Sequence, residues 1–152
     1  MNAWRGHATH SSWDTSLEEF NRLVLQYQDE AFSLAFYMLG SEVQAGQVVQ
    51  SAVRQAYTHF KGRNSDFRTQ ILELVSAGCL QAHIRTPEIK AQADTLLRQL
   101  SSLPGRERLA LILIDLLELS YTQAGSILHQ PRDSVRGLLT QGRLKLRKSD
   151  RF

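Results

Sequence analysis

Apolar residues recur at helical spacing through the first half of the chain. A stripe with apolar side chains three or four positions apart covers residues 17–38, about six helical turns, and Gly40 follows it. Since glycine readily adopts the left-handed conformation that ends many helices, we expect the first helix to end at Gly40. Similar stripes at 43–60 and 67–82 predict a second and a third helix, with Asp66 as the N-terminal cap of the third.

No segment shows sustained alternation of apolar and polar residues, so the pattern predicts an all-α protein. Residues 1–15 lack periodicity and are predicted to form a flexible leader before a helical domain at 16–85. Pro87 disfavours helix in the residue before it, and we therefore expect a linker at 86–91. A second small helical domain is predicted at 92–152.

Shorter helices are predicted in the second domain. One would span about 92–100, and Pro104 suits the first turn of another that continues to about Glu118. Ser120 and Gln123 have the spacing of a capping box, in which the serine hydroxyl accepts from a helical N–H and the glutamine reaches back. A helix is therefore expected to begin directly after Ser120.

That helix is short, ends at Leu128, and precedes a tight turn at 129–131. A longer helix follows, and the apolar residues of its inner side are Val135, Leu139, Gly142 and Leu146. Its polar residues, pointing outward, are Arg132, Ser134, Arg136, Thr140, Gln141, Arg143 and Lys145. A short helix, a three-residue turn and a longer basic helix predict a helix-turn-helix, whose second helix enters the DNA major groove. The alternative is an αα-hairpin within a helical bundle.

Basic residues concentrate toward the C-terminus. In 152 residues, 18 Lys and Arg stand against 15 Asp and Glu, for a formal net charge of +3. By segment, the net charge is −3 over 1–60, +2 over 61–100 and +4 over 101–152. Such a basic end is typical of a surface that contacts phosphate, and a solvated helix face is the alternative.

Signatures of several other protein classes are missing from the sequence. The single cysteine, Cys79, cannot form an internal disulfide, so we expect a cytoplasmic protein in a reducing environment with a buried, inert thiol. No stretch approaches 18 uninterrupted apolar residues, and we expect no membrane insertion. We also expect no enzyme activity, metal or cofactor, because the histidines show no ligand spacing beyond His7 and His10, and no glycine-rich phosphate loop is present.

Motifs of a known family are found in both halves of the chain. In the C-terminal half they are Leu103-Pro104-Gly105-Arg106-Glu107-Arg108, Leu119-Ser120-Tyr121-Thr122-Gln123-Ala124, Ile127-Leu128, Pro131, Ser134-Val135-Arg136, Leu139 and Arg143-Leu144-Lys145-Leu146-Arg147. These motifs resemble the fourth conserved region of sigma-70-family RNA polymerase sigma factors, specifically the extracytoplasmic-function (ECF) group. Positions that resemble the second region are Ala31 through Gly40, Ala45, Val48-Val49-Gln50, Tyr57 and Phe67-Arg68-Thr69.

The resemblance implies a transcription initiation factor of two domains. A sigma region 2-like domain would bind core RNA polymerase, and a sigma region 4-like helix-turn-helix domain would recognise a −35-like element in promoter DNA. The implied DNA-binding residues are Arg132, Ser134, Arg136, Thr140, Gln141, Arg143, Lys145 and Arg147. Of these, Arg136, Thr140 and Gln141 would face base edges, since arginine favours guanine and glutamine favours adenine. The implied phosphate contacts are Arg132, Arg143, Lys145 and Arg147.

The second region departs from the family pattern at functional positions. The implied polymerase-binding residues are Gln44, Gln47, Val48, Gln50 and Ser51, and the family has acidic residues at several positions in this segment where the chain is uncharged. On the third helix, the family presents basic residues that open and read the −10 element. This sequence instead has Glu73 and Ser76 there, while Arg68 and Thr69 keep the pattern.

These departures support a second hypothesis of a different class. The chain would be a sigma-fold interaction protein, either an anti-sigma decoy or a co-sigma subunit, that has lost autonomous promoter opening. Its partner would be an anti-sigma factor or a second sigma subunit. A third hypothesis, an unrelated regulator that shares only the helix-turn-helix, leaves the N-terminal similarity unexplained.

Overall fold

The computed structural model describes residues 6–60, 66–85 and 95–149, and over these residues the regular structure is helical throughout. The helices in chain order are α1 (Gly6–Leu39), α2 (Glu42–Thr58), α3 (Phe67–Arg85), α4 (Thr95–Ser101), α5 (Gly105–Leu111), α6 (Tyr121–Leu128) and α7 (Arg132–Ser149). A π-helical turn, Ile112–Leu116, continues α5. The all-α fold class predicted from the sequence is confirmed.

Helix α1 ends and α2 begins through local interactions that the sequence predicts in part. Gly40 has a φ of 69°, in the left-handed region, and its N–H donates to the Phe36 carbonyl. Ser41 then caps α2, because its hydroxyl accepts from the Gln44 N–H at 3.2 Å. The expected end of the first helix is therefore confirmed.

The start of α1 differs from the prediction. Residues 6–15, predicted as part of a flexible leader, form the first turns of this 34-residue helix, so the prediction is wrong for them. Extending an existing helix gains one hydrogen bond for each residue ordered, and it needs no apolar stripe. Residues 1–5 lie outside the described part of the chain.

Helices α1, α2 and α3 pack into a three-helix unit around a cluster of aromatic rings. The Phe20 ring centroid lies 5.0 Å from that of Tyr57, 5.2 Å from Phe60 and 5.6 Å from Phe67, and all three pairs meet edge to face. Such pairs add about 0.5–1.5 kcal/mol each beyond the burial of their surface. The rings come from α1, the end of α2 and the start of α3, so they fix the three helices relative to one another.

The second half packs α5, α6 and α7 around buried aliphatic side chains, chiefly Leu109, Leu113, Leu128, Val135 and Leu139. The π-helical turn follows α5, and in it the Leu117 N–H donates to the Ile112 carbonyl, five residues earlier, at 2.9 Å. The Leu119 N–H donates to the Leu113 carbonyl, also at 2.9 Å. This wide turn leads the chain to Ser120, where α6 begins.

The two halves share one continuous hydrophobic core. Helix α3 packs against α6, and the C-terminal end of α1 lies beside α4, α5 and the π-helical turn. The predicted linker at 86–91 lies outside the described residues, and the predicted division into two domains stays a prediction. No helix in the described part is both long and apolar enough to span a membrane.

The Arg108 side chain is charged, lies at the junction of the two halves and is only 1% exposed. Its guanidinium donates to the Met38 carbonyl oxygen at 2.6 Å, at the end of α1. It also donates to the carbonyl oxygens of Ser101 at 2.9 Å and Leu103 at 3.0 Å, in the turn between α4 and α5. Burial lowers the pKa of Arg108, and no carboxylate of the described residues pairs with it.

We expect the substitution Arg108→Ala to lower the free energy of unfolding by about 3 kcal/mol or more. Three backbone carbonyl oxygens would lose a charged donor, and a cavity would remain at the junction. Urea unfolding followed by circular dichroism measures this loss. The control is Arg106→Ala, which removes an exposed arginine two residues away and should change stability by less than about 0.5 kcal/mol. Equal losses in the two variants would contradict the structural role of Arg108.

Candidate nucleic-acid interface

The helix-turn-helix begins at the predicted capping box. The Ser120 hydroxyl accepts from the Gln123 N–H at 3.1 Å, and the Gln123 side-chain oxygen accepts from the Ser120 N–H at 2.9 Å. Two of the N–H groups that a helix start leaves unpaired are therefore satisfied locally. The predicted capping box and the predicted end of the helix at Leu128 are both confirmed.

The turn between α6 and α7 depends on a close approach that the sequence analysis missed. His129 ends α6 with a φ of 55°, and the N–H groups of His129 and Gln130 both donate to the Gly125 carbonyl. A Cβ on Gly125 would lie 2.7 Å from the Gln130 carbonyl oxygen. A side chain at position 125 would push the turn away, so this glycine sets the angle between the two helices.

Helix α7 presents the predicted faces. Val135, Leu139 and Gly142 are buried against α5 and α6, as expected for its inner side. The exposed residues of the DNA-binding set are Arg132, Arg136, Thr140, Gln141, Arg143, Lys145 and Arg147, and Ser134 is half-buried. Helix α7 therefore carries all the predicted DNA-binding residues, and most of their side chains are exposed to solvent.

Four arginines share one flank of α7. Their helical spacing keeps Arg132, Arg136, Arg143 and Arg147 within about 60° around the axis. The Arg136 guanidinium carbon lies 5.5 Å from the centroid of the Tyr121 ring, a cation–π distance that orients it on the surface of α6. This flank carries the strongest positive charge along the helix.

Two of the predicted cations already hold carboxylates. Arg143 donates to both oxygens of Asp115, at 3.1 and 2.6 Å, and these hydrogen bonds raise the pKa of its guanidinium. Lys145 lies 2.8 Å from the nearer oxygen of Glu107. Both cations therefore help fix α7 on α5 and the π-helical turn, and their charge is partly neutralised within the chain.

The opposite flank of α7 borders a shallow groove of about 360 Å³. The lining residues are Arg106, Gln130, Ser134, Gly137, Leu138 and Gln141. Arg106 lies in the Leu103–Arg108 motif, but no role was predicted for it. The signal that could have found it is its charge at the start of α5, although only the fold brings that position beside α7.

The residues predicted to bind polymerase do not share one surface. Gln44, Gln47, Val48 and Ser51 line a groove of about 340 Å³ between α2 and α3. Gln50 faces the other side of α2, where it lines a groove of about 480 Å³ against α1. Gln47 borders both grooves.

Helix α3 uses its predicted functional positions for contacts within the chain. Arg68 donates to both Glu30 oxygens at 2.7 Å, which ties α3 to α1 and raises the pKa of Arg68. The Glu73 carboxylate lies 2.9 Å from the His129 ring nitrogen Nε2, in the turn of the helix-turn-helix. Ser76 is buried, and its hydroxyl finds no partner among the described residues.

Metal and thiol chemistry find no support in the described residues. No cluster of three or more His, Cys, Asp or Glu that could hold a metal ion occurs in the part of the chain that the structure describes. Cys79 is buried, and burial raises the pKa of its thiol to about 12, which keeps it in the unreactive protonated form.

Comparison with known proteins supports the reading of this interface. Residues 93–146 match the family "Sigma-70, region 4". No match is found among curated protein sequences. The solved structures with a similar fold include the sigma factor RpoE from Bartonella quintana, in complex with the anti-sigma factor NepR. RpoE is 16% identical to this chain, and the match covers 86% of this chain and 96% of RpoE with a TM-score of 0.71. They also include CnrH, in complex with the cytosolic domain of CnrY, with 17% identity over 89% of this chain and 91% of that chain and a TM-score of 0.73. The predicted resemblance to region 4 of the sigma-70 family is confirmed for residues 93–146, and the fold of most of the chain is similar to that of a sigma factor.

Two glycines of α7 should respond oppositely to alanine. A Cβ at Gly142 would lie 2.9 Å from the Leu111 Cδ1 atom, whereas nothing lies within 4 Å of a Cβ at Gly137. We expect Gly142→Ala to destabilise the protein by about 1–3 kcal/mol through overpacking. Gly137→Ala should stabilise it by about 0.5–1 kcal/mol, because alanine favours helix. Thermal unfolding of both variants measures the difference, and two changes of the same sign would contradict the close packing of α7 on α5.

Proposed function

We propose that this chain, whose residues 93–146 belong to the sigma-70 region 4 family and whose fold is that of the sigma factor RpoE, is a transcription initiation factor. Its N-terminal helices would bind core RNA polymerase. Its helix-turn-helix would recognise a −35-like promoter element, with α7 in the major groove.

The exposed arginine flank of α7 is the observation that carries this proposal. A helix-turn-helix needs a fixed angle between its helices, a reading helix open to solvent and cations beside it to neutralise phosphates. The capping box at Ser120 and the close approach at Gly125 supply the fixed angle. Arg132, Arg136 and Arg147 are exposed and form no ion pair with any residue in the described ranges.

The proposed roles follow from position on the helix. Arg136, Thr140 and Gln141 are exposed and lie between the two ends of α7, where side chains reach base edges. Arg132 and Arg147 lie near the two ends of α7, where phosphates flank the groove. Arg143 and Lys145, with carboxylate partners inside the chain, would contribute less to DNA affinity than the unpaired cations.

Removal of the three unpaired arginines tests DNA binding. We expect the triple variant Arg132→Ala, Arg136→Ala, Arg147→Ala to reduce the slope of log K against log salt concentration by about 1.8, or about 0.9 for each of the lost phosphate contacts of Arg132 and Arg147. The measurement is fluorescence anisotropy on a mixed-sequence DNA duplex across a range of salt concentrations.

The matched control removes three exposed arginines elsewhere, as Arg22→Ala, Arg54→Ala and Arg98→Ala. It lowers the net charge by the same amount and should leave the slope unchanged within about 0.5, since these residues lie outside α7. Equal slopes for the wild type and the α7 variant would rule out DNA binding through this flank.

A second function is favoured by the contacts of α3. The chain would be a sigma-fold interaction protein, an anti-sigma decoy or co-sigma subunit, without autonomous promoter opening. Glu73 and Ser76, at positions that the family resemblance assigns to promoter opening, are engaged or buried beside α6. The similar structure of RpoE contains an anti-sigma factor, which supports such a partner for this chain also.

Two assays separate these functions. The first is capture of core RNA polymerase from the source organism by the tagged full-length chain, and the second is run-off transcription from a promoter library with that polymerase. A transcription initiation factor should give both capture and promoter-dependent transcripts. Capture without transcripts would favour the interaction protein. The absence of both capture and transcripts would rule out polymerase as a partner.

A further inference from the structure

The side of α7 that faces away from the arginine flank has its free cation on a different helix. Ser134, Leu138 and Gln141 share this second side, about 180° around the helix axis from the arginine flank, and none of them is charged. Lys145 lies on the same side, but it already holds a carboxylate. The groove that borders the second side is lined by the exposed Arg106 of α5.

We propose that Arg106 binds a phosphate of the DNA strand that runs along the second side of α7, and that the groove receives the backbone of this strand. The inference rests on the proposed function, because it takes α7 to lie in the major groove. A phosphate backbone borders that groove on each side of a bound helix. Cations on one flank of α7 alone would leave the second backbone without a contact.

The Arg106 guanidinium is available for a ligand. It is exposed, and it forms neither an ion pair nor a side-chain hydrogen bond with any residue in the described ranges. The carboxylate next to it in sequence, Glu107, is engaged by Lys145 at 2.8 and 3.0 Å. A guanidinium presents a planar fork of donors that matches two phosphate oxygens. Arg106 therefore has the chemistry of a phosphate contact and no competing anion.

The backbone that carries Arg106 is held in place from both sides. The Pro104 carbonyl accepts from the Arg108 N–H at 2.9 Å, which closes the first turn of α5 around Arg106. The buried Arg108 side chain, two residues further on, joins this turn to the carbonyl oxygens of Leu103 and Met38. To bind a phosphate, Arg106 thus has to order only its own side chain, which lowers the entropic cost of binding.

The rest of the groove suits a sugar–phosphate backbone. Ser134 provides a hydroxyl, Gln130 and Gln141 provide amide donors, and no acidic residue of the described part of the chain lines the groove. Gly137 lies between the groove and the outermost surface of α7, and nothing lies within 4 Å of a Cβ built at this position. The groove is therefore open toward the solvent side of α7, and a strand can approach the helix closely there.

A further cation lies on the second side of α7, near its C-terminal end. Lys148 follows Gln141 by seven residues, so it lies two helical turns, or about 10 Å, further along the same side. It is exposed and has no ion pair among the described residues. It does not line the groove, so Arg106 remains the cation of the groove itself.

The test removes the charge of Arg106 from the full-length chain. Fluorescence anisotropy on a mixed-sequence DNA duplex should show that Arg106→Gln reduces the slope of log K against log salt concentration by about 0.9, while Arg106→Lys, which keeps the charge, restores it to within about 0.3. The matched control, Arg54→Gln, removes an exposed arginine of α2 and should also stay within about 0.3 of the wild-type slope. Thermal unfolding should be the same in all three variants. A wild-type slope in Arg106→Gln, or an equal reduction in Arg54→Gln, would overturn the proposal.

Additivity with the arginine flank tests whether Arg106 contacts a separate backbone. Adding Arg106→Gln to the triple variant Arg132→Ala, Arg136→Ala, Arg147→Ala should bring the total reduction in slope to about 2.7. No further reduction in this fourfold variant would mean that the two flanks share their phosphates, which contradicts a second side. If the triple variant lowers the slope and Arg106→Gln does not, the proposed function stands and this inference fails. If neither lowers the slope, DNA binding by α7 and the role of Arg106 are both refuted.

Discussion

The buried guanidinium of Arg108 constrains the arrangement of the whole chain. A buried cation requires hydrogen-bond acceptors, and the two terminal nitrogens of this one find them in backbone carbonyls at the end of α1 and in the turn before α5, while its Nε has no partner among the described residues. The last carbonyls of a helix lack intrahelical partners and carry partial negative charge, so the end of α1 is a favourable place for a cation. Separation of the halves would leave the Met38 carbonyl without the charged donor that the compact fold supplies.

The position of α5 then determines the position of α7. Gly142 lets α7 approach Leu111 and the Glu107 backbone closely, and the ion pairs of Arg143 and Lys145 reinforce the same contact. The angle between α6 and α7 is set by the close approach of Gly125 to the turn. The orientation of α7 is thus fixed by packing on its inner side, which leaves its outer side available to a ligand.

Electrostatics divide the basic end of the chain into two groups. Some cations of α7 are paired with carboxylates of α5 and the π-helical turn, while Arg132, Arg136 and Arg147 have no ion-pair partner among the described residues. The net charge of +4 over residues 101–152 already includes the paired carboxylates, so the two ion pairs leave it unchanged. On α3, the Glu73 carboxylate contacts the ring nitrogen Nε2 of His129.

The sequence by itself determined the helices, the capping box and the order of the helix-turn-helix. Apolar periodicity and caps act between residues a few positions apart, so they can be identified without the fold. The tertiary structure alone decided the burial of Arg108, since Met38 lies 70 residues away. It also decided the contact of Glu73 with His129, the carboxylate partners of Arg143 and Lys145, and the need for glycine at position 142. These features depend on which surfaces meet when helices pack. The pattern of residues along one helix does not show which residues of other helices it will contact.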